Sequence, residues 1–111
     1  MMKKAYKGQY VLAVRRLSYT TAKYKTKFYD NCRFGIADFC DKESRVKKVR
    51  FKDDNFLHPA NEFSQIMLVP PEKLTLNPVA FLGNETYNDI AGAVAALKAI
   101  MEVHKQQNQA E

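Results

Sequence analysis

The chain is poor in the residues from which most catalytic and metal centres are built, with two cysteines, two histidines and four glycines among 111 residues. Cys32 and Cys40 stand eight positions apart. On one strand they would lie about 27 Å apart, well beyond the roughly 7 Å between Cα atoms that a disulfide spans. Both read as reduced, buried, small apolar residues. Together with His58 and His104 they lack the Cys-x(2–4)-Cys or His-x(3–5)-His spacing that lets two side chains meet one zinc ion. Asp53-Asp54-Asn55 offers oxygen ligands, but such a cluster between elements reads first as a turn. Neither cysteine is marked as a nucleophile by an adjacent base. Gly8, Gly35, Gly83 and Gly92 cannot be written as a G-x-G-x-x-G or Walker loop. The expectation is no catalytic residue, no metal and no cofactor, hence no enzyme.

Long apolar runs are missing as well. The longest uncharged stretch, residues 74–84, is far short of the roughly 20 residues a membrane span needs and contains Pro78. The cationic opening Met1-Met2-Lys3-Lys4 leads into Tyr6, Lys7, Gln9, Arg15 and Arg16 rather than the apolar core of a signal peptide. A soluble, cytoplasmic protein with no membrane contact is expected, in which the Asn84-Glu85-Thr86 sequon has no role.

What the chain does have is positive charge, unevenly placed. Residues 1–54 hold 15 Lys and Arg against 6 Asp and Glu, a net of +9, while residues 55–111 hold 3 against 6, a net of −3. A length of 111 residues suits a single domain, here a basic half 1–54 and a near-neutral half 55–111. The asymmetry points to a cationic face whose partner is a polyanion or an acidic protein surface.

Residues 9–19 are rich in β-branched and aromatic side chains and read as a first strand. Lys23, Lys25 and Lys27 alternate with Tyr24, Thr26 and Phe28 at the period of a second strand, which the Asp30-Asn31 turn dipeptide should end. Cys32, Phe34, Ile36 and Cys40 share one parity, as in a third strand. In residues 45–52 the parity splits Lys48, Arg50 and Lys52 from Val49 and Phe51, the pattern of a fourth strand with a cationic face. His58-Pro59 marks a boundary. Residues 60–67 fit a short helix and residues 63–69 fit an extended segment, and the pattern leaves both open. Pro70-Pro71 forces a loop. Residues 74–76 and 79–82 suggest short strands with Pro78 at an edge. Thr86 with Asp89 has the shape of a capping box opening a helix over 86–106, whose stripe of Tyr87, Ile90, Val94, Leu97, Met101 and His104 has to cover a sheet. The fold class expected is α+β: an antiparallel sheet of about four to six strands packed against a long C-terminal helix.

The two basic triplets carry the functional expectation. Alternate residues on a strand lie about 6.8 Å apart, close to the spacing of phosphates on an extended single strand. Lys23, Lys25, Lys27, Lys48, Arg50 and Lys52 are therefore the expected phosphate contacts on one shared face, joined by Arg15 and Arg16, with Tyr24 and Tyr29 among the aromatic residues available for stacking. The expected function is nucleic-acid binding with little sequence readout, to single-stranded or duplex DNA or RNA. Against it stands the ordinary solvated face of an antiparallel sheet, where lysine also blocks edge pairing. The rival function is a small protein-interaction module, an inhibitor or adaptor of the kind mobile elements encode, docking on an acidic partner or forming a homodimer along Gly92, Ala96 and Ala99 of the helix.

Overall fold

The computed structural model describes residues 7–43, 45–69, 74 and 76–109, with side chains as far as His104. Its elements are β1 (Tyr10–Thr20), β2 (Thr26–Cys40), β3 (Val46–Arg50), β4 (His58–Pro59), a one-turn 3-10 helix (Ala60–Glu62), β5 (Gln65–Leu68), α1 (Pro78–Leu82) and α2 (Ile90–Gln109). The strands form one antiparallel sheet in the order β4-β3-β2-β1-β5. The fold is α+β, with the sheet packed against the C-terminal helix.

β4 and β5 lie at opposite edges of this sheet, yet only residues 60–64 join them. In a flat sheet those edges would be about 19 Å apart, at about 4.8 Å per strand spacing. Five residues, three of them wound into a tight turn, cannot comfortably span that distance, so the sheet coils. Ser64 closes the gap by donating its backbone N–H to the Val14 carbonyl at 2.8 Å and its hydroxyl to the same oxygen at 3.0 Å. Gly35 permits the coil. A Cβ there would come within 2.9 Å of both Phe51 and Val49, so a larger residue would push β3 outward.

Coiling gives the sheet two buried faces. The concave side holds Val11, Ala13, Ala37, Val49 and Phe51, with Phe63, Ile66 and Leu68 packed on them. The convex side holds Leu12, Val14, Cys32 and Phe34, roofed by Val79 of α1 and Ala93 of α2. Phe34 and Leu12 are almost wholly buried, and such side chains contribute about 1.5–3 kcal/mol each. The run Val11-Leu12-Ala13-Val14 is buried on both sides, the signature of a strand covered above and below.

Several expected boundaries move. Asp30-Asn31 does not turn the chain: both residues sit inside a single 15-residue β2, opposite Arg16 and Arg15. The turn lies at residues 21–25, closed by Tyr24 N–H to Thr21 carbonyl and Lys25 N–H to Thr21 Oγ1. A register shift around Phe39 breaks the parity of β2, so Cys32 enters the convex core and Cys40 packs on the concave one. Both thiols are free. Residues 78–82 are helical, not extended. Asn77 caps them by accepting from Val79 and Ala80 N–H, and Pro78 takes the first helical position, where its missing donor is harmless. Residues 65–68 take the extended option. The last helix opens at Ile90 rather than 86, because Asp89, not Thr86, caps it by accepting from Gly92 N–H at 2.6 Å. Strands β4 and β5 fall in the near-neutral half, so the sheet is not confined to residues 1–54. The expected Pro70-Pro71 loop lies outside the described residues. No described helix is long and apolar enough to cross a membrane.

Candidate nucleic-acid interface

The pairing of β1 with β2 outlasts the rest of the sheet. β5 covers β1 only at Val11–Val14 and β3 covers β2 only from Ile36 to Cys40. From the pair Arg15–Asn31 to the pair Thr20–Thr26 the two strands run as a free ribbon, roughly 20 Å long at about 3.4 Å per residue. Between residues 16 and 29 the ribbon and its turn carry Arg16, Lys23, Lys25 and Lys27 and no Asp or Glu. No lysine of this group forms an ion pair among the described residues. Asp30, opposite Arg16, is the acidic residue at its root.

The ribbon is also where the aromatic residues come to the surface. Tyr19 is 54% exposed, Phe28 59% and Tyr24 91%. Tyr19 and Tyr29 sit on one face with ring centroids 6.0 Å apart and planes tilted by 54°. On the other face the Arg16 guanidinium lies 4.7 Å above the Phe28 ring, within the range of a cation–π attraction. At the tip Tyr24 has φ +59°, a left-handed conformation that a residue with a bulky side chain adopts only against a penalty. Its ring meets no other ring or cation among the described residues.

The second basic triplet is elsewhere. Arg50 opposes Ile36, a residue of the convex core, so Lys48, Arg50 and Lys52 point to the helix side. Lys27 opposes Tyr19 on the parity of the concave face. The expected single face holding Lys23, Lys25, Lys27, Lys48, Arg50 and Lys52 does not exist, because the β2 ladder places Lys27 on the side opposite to Arg50 and its neighbours. Lys23 and Lys25 are turn residues, not strand residues. Arg50 is held by Asp38 at 3.1 Å, and Lys52 Nζ donates to the Ala80 carbonyl of α1 at 2.9 Å. Of that triplet Lys48 alone is exposed without such a contact among the described residues. Arg15 is paired with Glu62 at 2.9 Å. Of the other rings open to stacking on sequence grounds, Phe34 and Phe51 are core residues.

Sequence reasoning missed a half-enclosed cavity of about 130 Å³ at the root of the ribbon. Arg15, Asn31 and Arg33 project into it from β1 and β2, with Phe51, Phe63, Asp54, His58 and Thr86 around them. Arg33 is fixed by donating to the Gly83 and Lys52 carbonyls at 2.6 and 3.1 Å while stacking 4.8 Å from Phe51. His58 bridges two carboxylates, with Nε2 at 2.6 Å from Asp54 and Nδ1 at 3.0 Å from Glu62. The hydrogen bond to Asp54 is the chief cause that raises the His58 pKa above 6.5, and the same bond lowers that of Asp54. Once protonated, His58 donates from both ring nitrogens to carboxylates and keeps no lone pair to accept a substrate proton. The Asp54-x(3)-His58-x(3)-Glu62 spacing was the one sequence signal for this cluster. Burial raises the Cys32 and Cys40 thiols above their ordinary value, which disfavours the thiolate. No cluster of potential metal ligands occurs among the described residues. No protein-family model, curated protein or solved structure matches the chain.

Proposed function

We propose that the chain binds nucleic acid through the β1–β2 ribbon, with Arg16, Lys23, Lys25 and Lys27 meeting phosphates and Tyr19, Tyr24, Phe28 and Tyr29 meeting bases or sugars. The observation that carries this reading is a protruding two-stranded element free of acidic residues over 16–29, with four cations and exposed aromatic rings on both faces. A folded domain gains little from that surface. Exposed tyrosines and phenylalanine are poorly solvated, and the unpaired lysines repel one another. A polyanion with stacking faces satisfies both at once. Tyr24 adds to this: a ring 91% exposed on a backbone of φ +59° serves no packing purpose, and strained residues of this kind gather where a ligand is met.

Two-stranded ribbons fit the duplex major groove and can equally track a single strand. Four phosphate contacts would give a slope of log affinity on log salt near −4 on duplex and near −3 on single strands. The test is fluorescence anisotropy of labelled oligonucleotides at low salt with Lys25→Glu/Lys27→Glu beside Lys48→Glu as the off-ribbon control. Binding that survives in the former and fails in the latter overturns the assignment. Capture of an acidic protein by the same ribbon after nuclease treatment would turn the reading toward a protein-interaction module.

A further inference from the structure

The cavity at the ribbon root is too small for a whole nucleotide or a drug-sized ligand, which need roughly 300 Å³ or more, but about 130 Å³ takes one flat heterocycle. Its chemistry is not that of a phosphate site. Arg15, Arg33 and the protonated His58 are offset by Asp54 and Glu62, which leaves an entering anion at most one net positive charge. Both guanidiniums are also already engaged, Arg15 by Glu62 and Arg33 by two backbone carbonyls. What remains unused is neutral and directional. The side chains of Asn31 and Thr86 line the cavity, and neither has a hydrogen-bond partner among the described residues. An amide and a hydroxyl supply the mix of donors and acceptors that a base edge presents. Phe51 and Phe63 supply apolar rings, set edge to face at 5.8 Å.

The fold builds this site deliberately close to the ribbon. Cys32 and Tyr87 exchange two backbone hydrogen bonds of 2.8 and 2.9 Å, fixing the segment that carries Thr86 beside Asn31 and Arg33. Asn31 opposes Arg15 in the ladder, and two pairs further out come Leu17 and Tyr29, then Tyr19 and Lys27, all on the same face. A backbone running down that face arrives at the cavity mouth.

We propose that this cavity receives one unstacked nucleobase of a single strand lying along the ribbon, with the Asn31 amide and the Thr86 hydroxyl on the base edge. The proposal rests on the nucleic-acid reading above and names the form bound: a duplex has to unpair and unstack a base, at about a few kcal/mol, before it can fill the pocket, and a single strand does not.

The test compares a labelled single strand of about 12 nucleotides with an otherwise identical abasic oligomer, by anisotropy at low salt, together with adenosine titrated into 15N-labelled protein. The expected result is about 5- to 150-fold tighter binding of the base-bearing strand. Asn31→Leu and Thr86→Leu should each pull that ratio toward one while leaving the affinity for the abasic oligomer in place. Adenosine should shift the amide signals of Asn31, Arg33 and Thr86. If both oligomers bind equally and adenosine moves none of these signals, the cavity proposal falls together with base stacking on the ribbon, and the phosphate contacts of Arg16, Lys23, Lys25 and Lys27 stand. If neither oligomer binds, the ribbon reading falls and the proposal with it, and adenosine shifts would then mark a pocket for a free nucleobase or nucleoside only. Silence in both experiments overturns both, and a high ratio untouched by either variant overturns the cavity alone.

Discussion

His58 stands 2.6 Å from Asp54, and its other ring nitrogen is 3.0 Å from Glu62, so the protonated ring donates from both sides and then ties the segment after β3 to the turn before β5. The pKa of His58 is raised from 6.5, so its contribution is fully present below that pH and is lost as pH rises through the folded value. The pKa of Asp54 is lowered from 3.8, so its contribution is present above that pH and is lost as pH falls through the folded value. Denaturant midpoints should be highest between about pH 4 and 6.5 and decline toward pH 8. In His58→Gln the alkaline part of that decline should disappear. A midpoint that rises from pH 6 to 8 in the native chain would contradict the bridge.

Gly35 is where β3 and Phe51 lie against β2, and a Cβ there would meet Phe51, Val49 and the Arg50 carbonyl at 2.9–3.0 Å. Gly35→Val should destabilise by about 1–3 kcal/mol through overpacking, read by chemical denaturation. Gly92→Ala is no neutral reference, since its Cβ would stand 2.9 Å from the Asp89 oxygen that caps α2.

The caps of the last helix can be separated by mutation. Asp89→Ala removes the acceptor of the Gly92 N–H and should lower stability by about 0.5–2 kcal/mol. Thr86→Ala removes no cap and should leave the thermal midpoint near that of the parent. Equal losses from the two would restore the capping-box assignment.

Tyr24→Gly should leave stability unchanged or raise it by up to about 1 kcal/mol, since glycine takes φ +59° without strain. The same change should weaken oligonucleotide binding by about 5-fold or more, the lower end of what one stacked base is worth. A variant that is both stabler and binds as tightly would leave Tyr24 without a role.

Much of this architecture was legible in the residues. The period of 9–19, the basic-apolar split of 45–52 and the helical stripe from Ile90 to His104 each correspond to an observed element. The failures have physical causes. Asp30-Asn31 is good turn chemistry, but pairing with Arg16 and Arg15 across the ladder overrides local preference, and the real turn has no glycine, asparagine or proline to announce it. Lys23, Lys25 and Lys27 alternate like a strand although two of them occupy that turn. The run Val11–Val14 holds the clue that both sheet faces are covered, which removes the open cationic face and leaves the ribbon. Asn77-Pro78 is a helix start read as a strand edge. The cavity was not legible, since Arg15, Asn31, Arg33, His58 and Thr86 are brought together by strand pairing and the coil of the sheet.

The most direct measurement is the salt dependence of oligonucleotide affinity for the parent chain, Lys25→Glu/Lys27→Glu and Lys48→Glu/Arg50→Glu. Phosphate contacts made by the ribbon predict a slope near −3 on single strands for the parent, a loss of about 1.4 units in the ribbon variant and little change in the β3 variant. A slope that is unchanged by the ribbon substitutions, or abolished by those in β3, would contradict it.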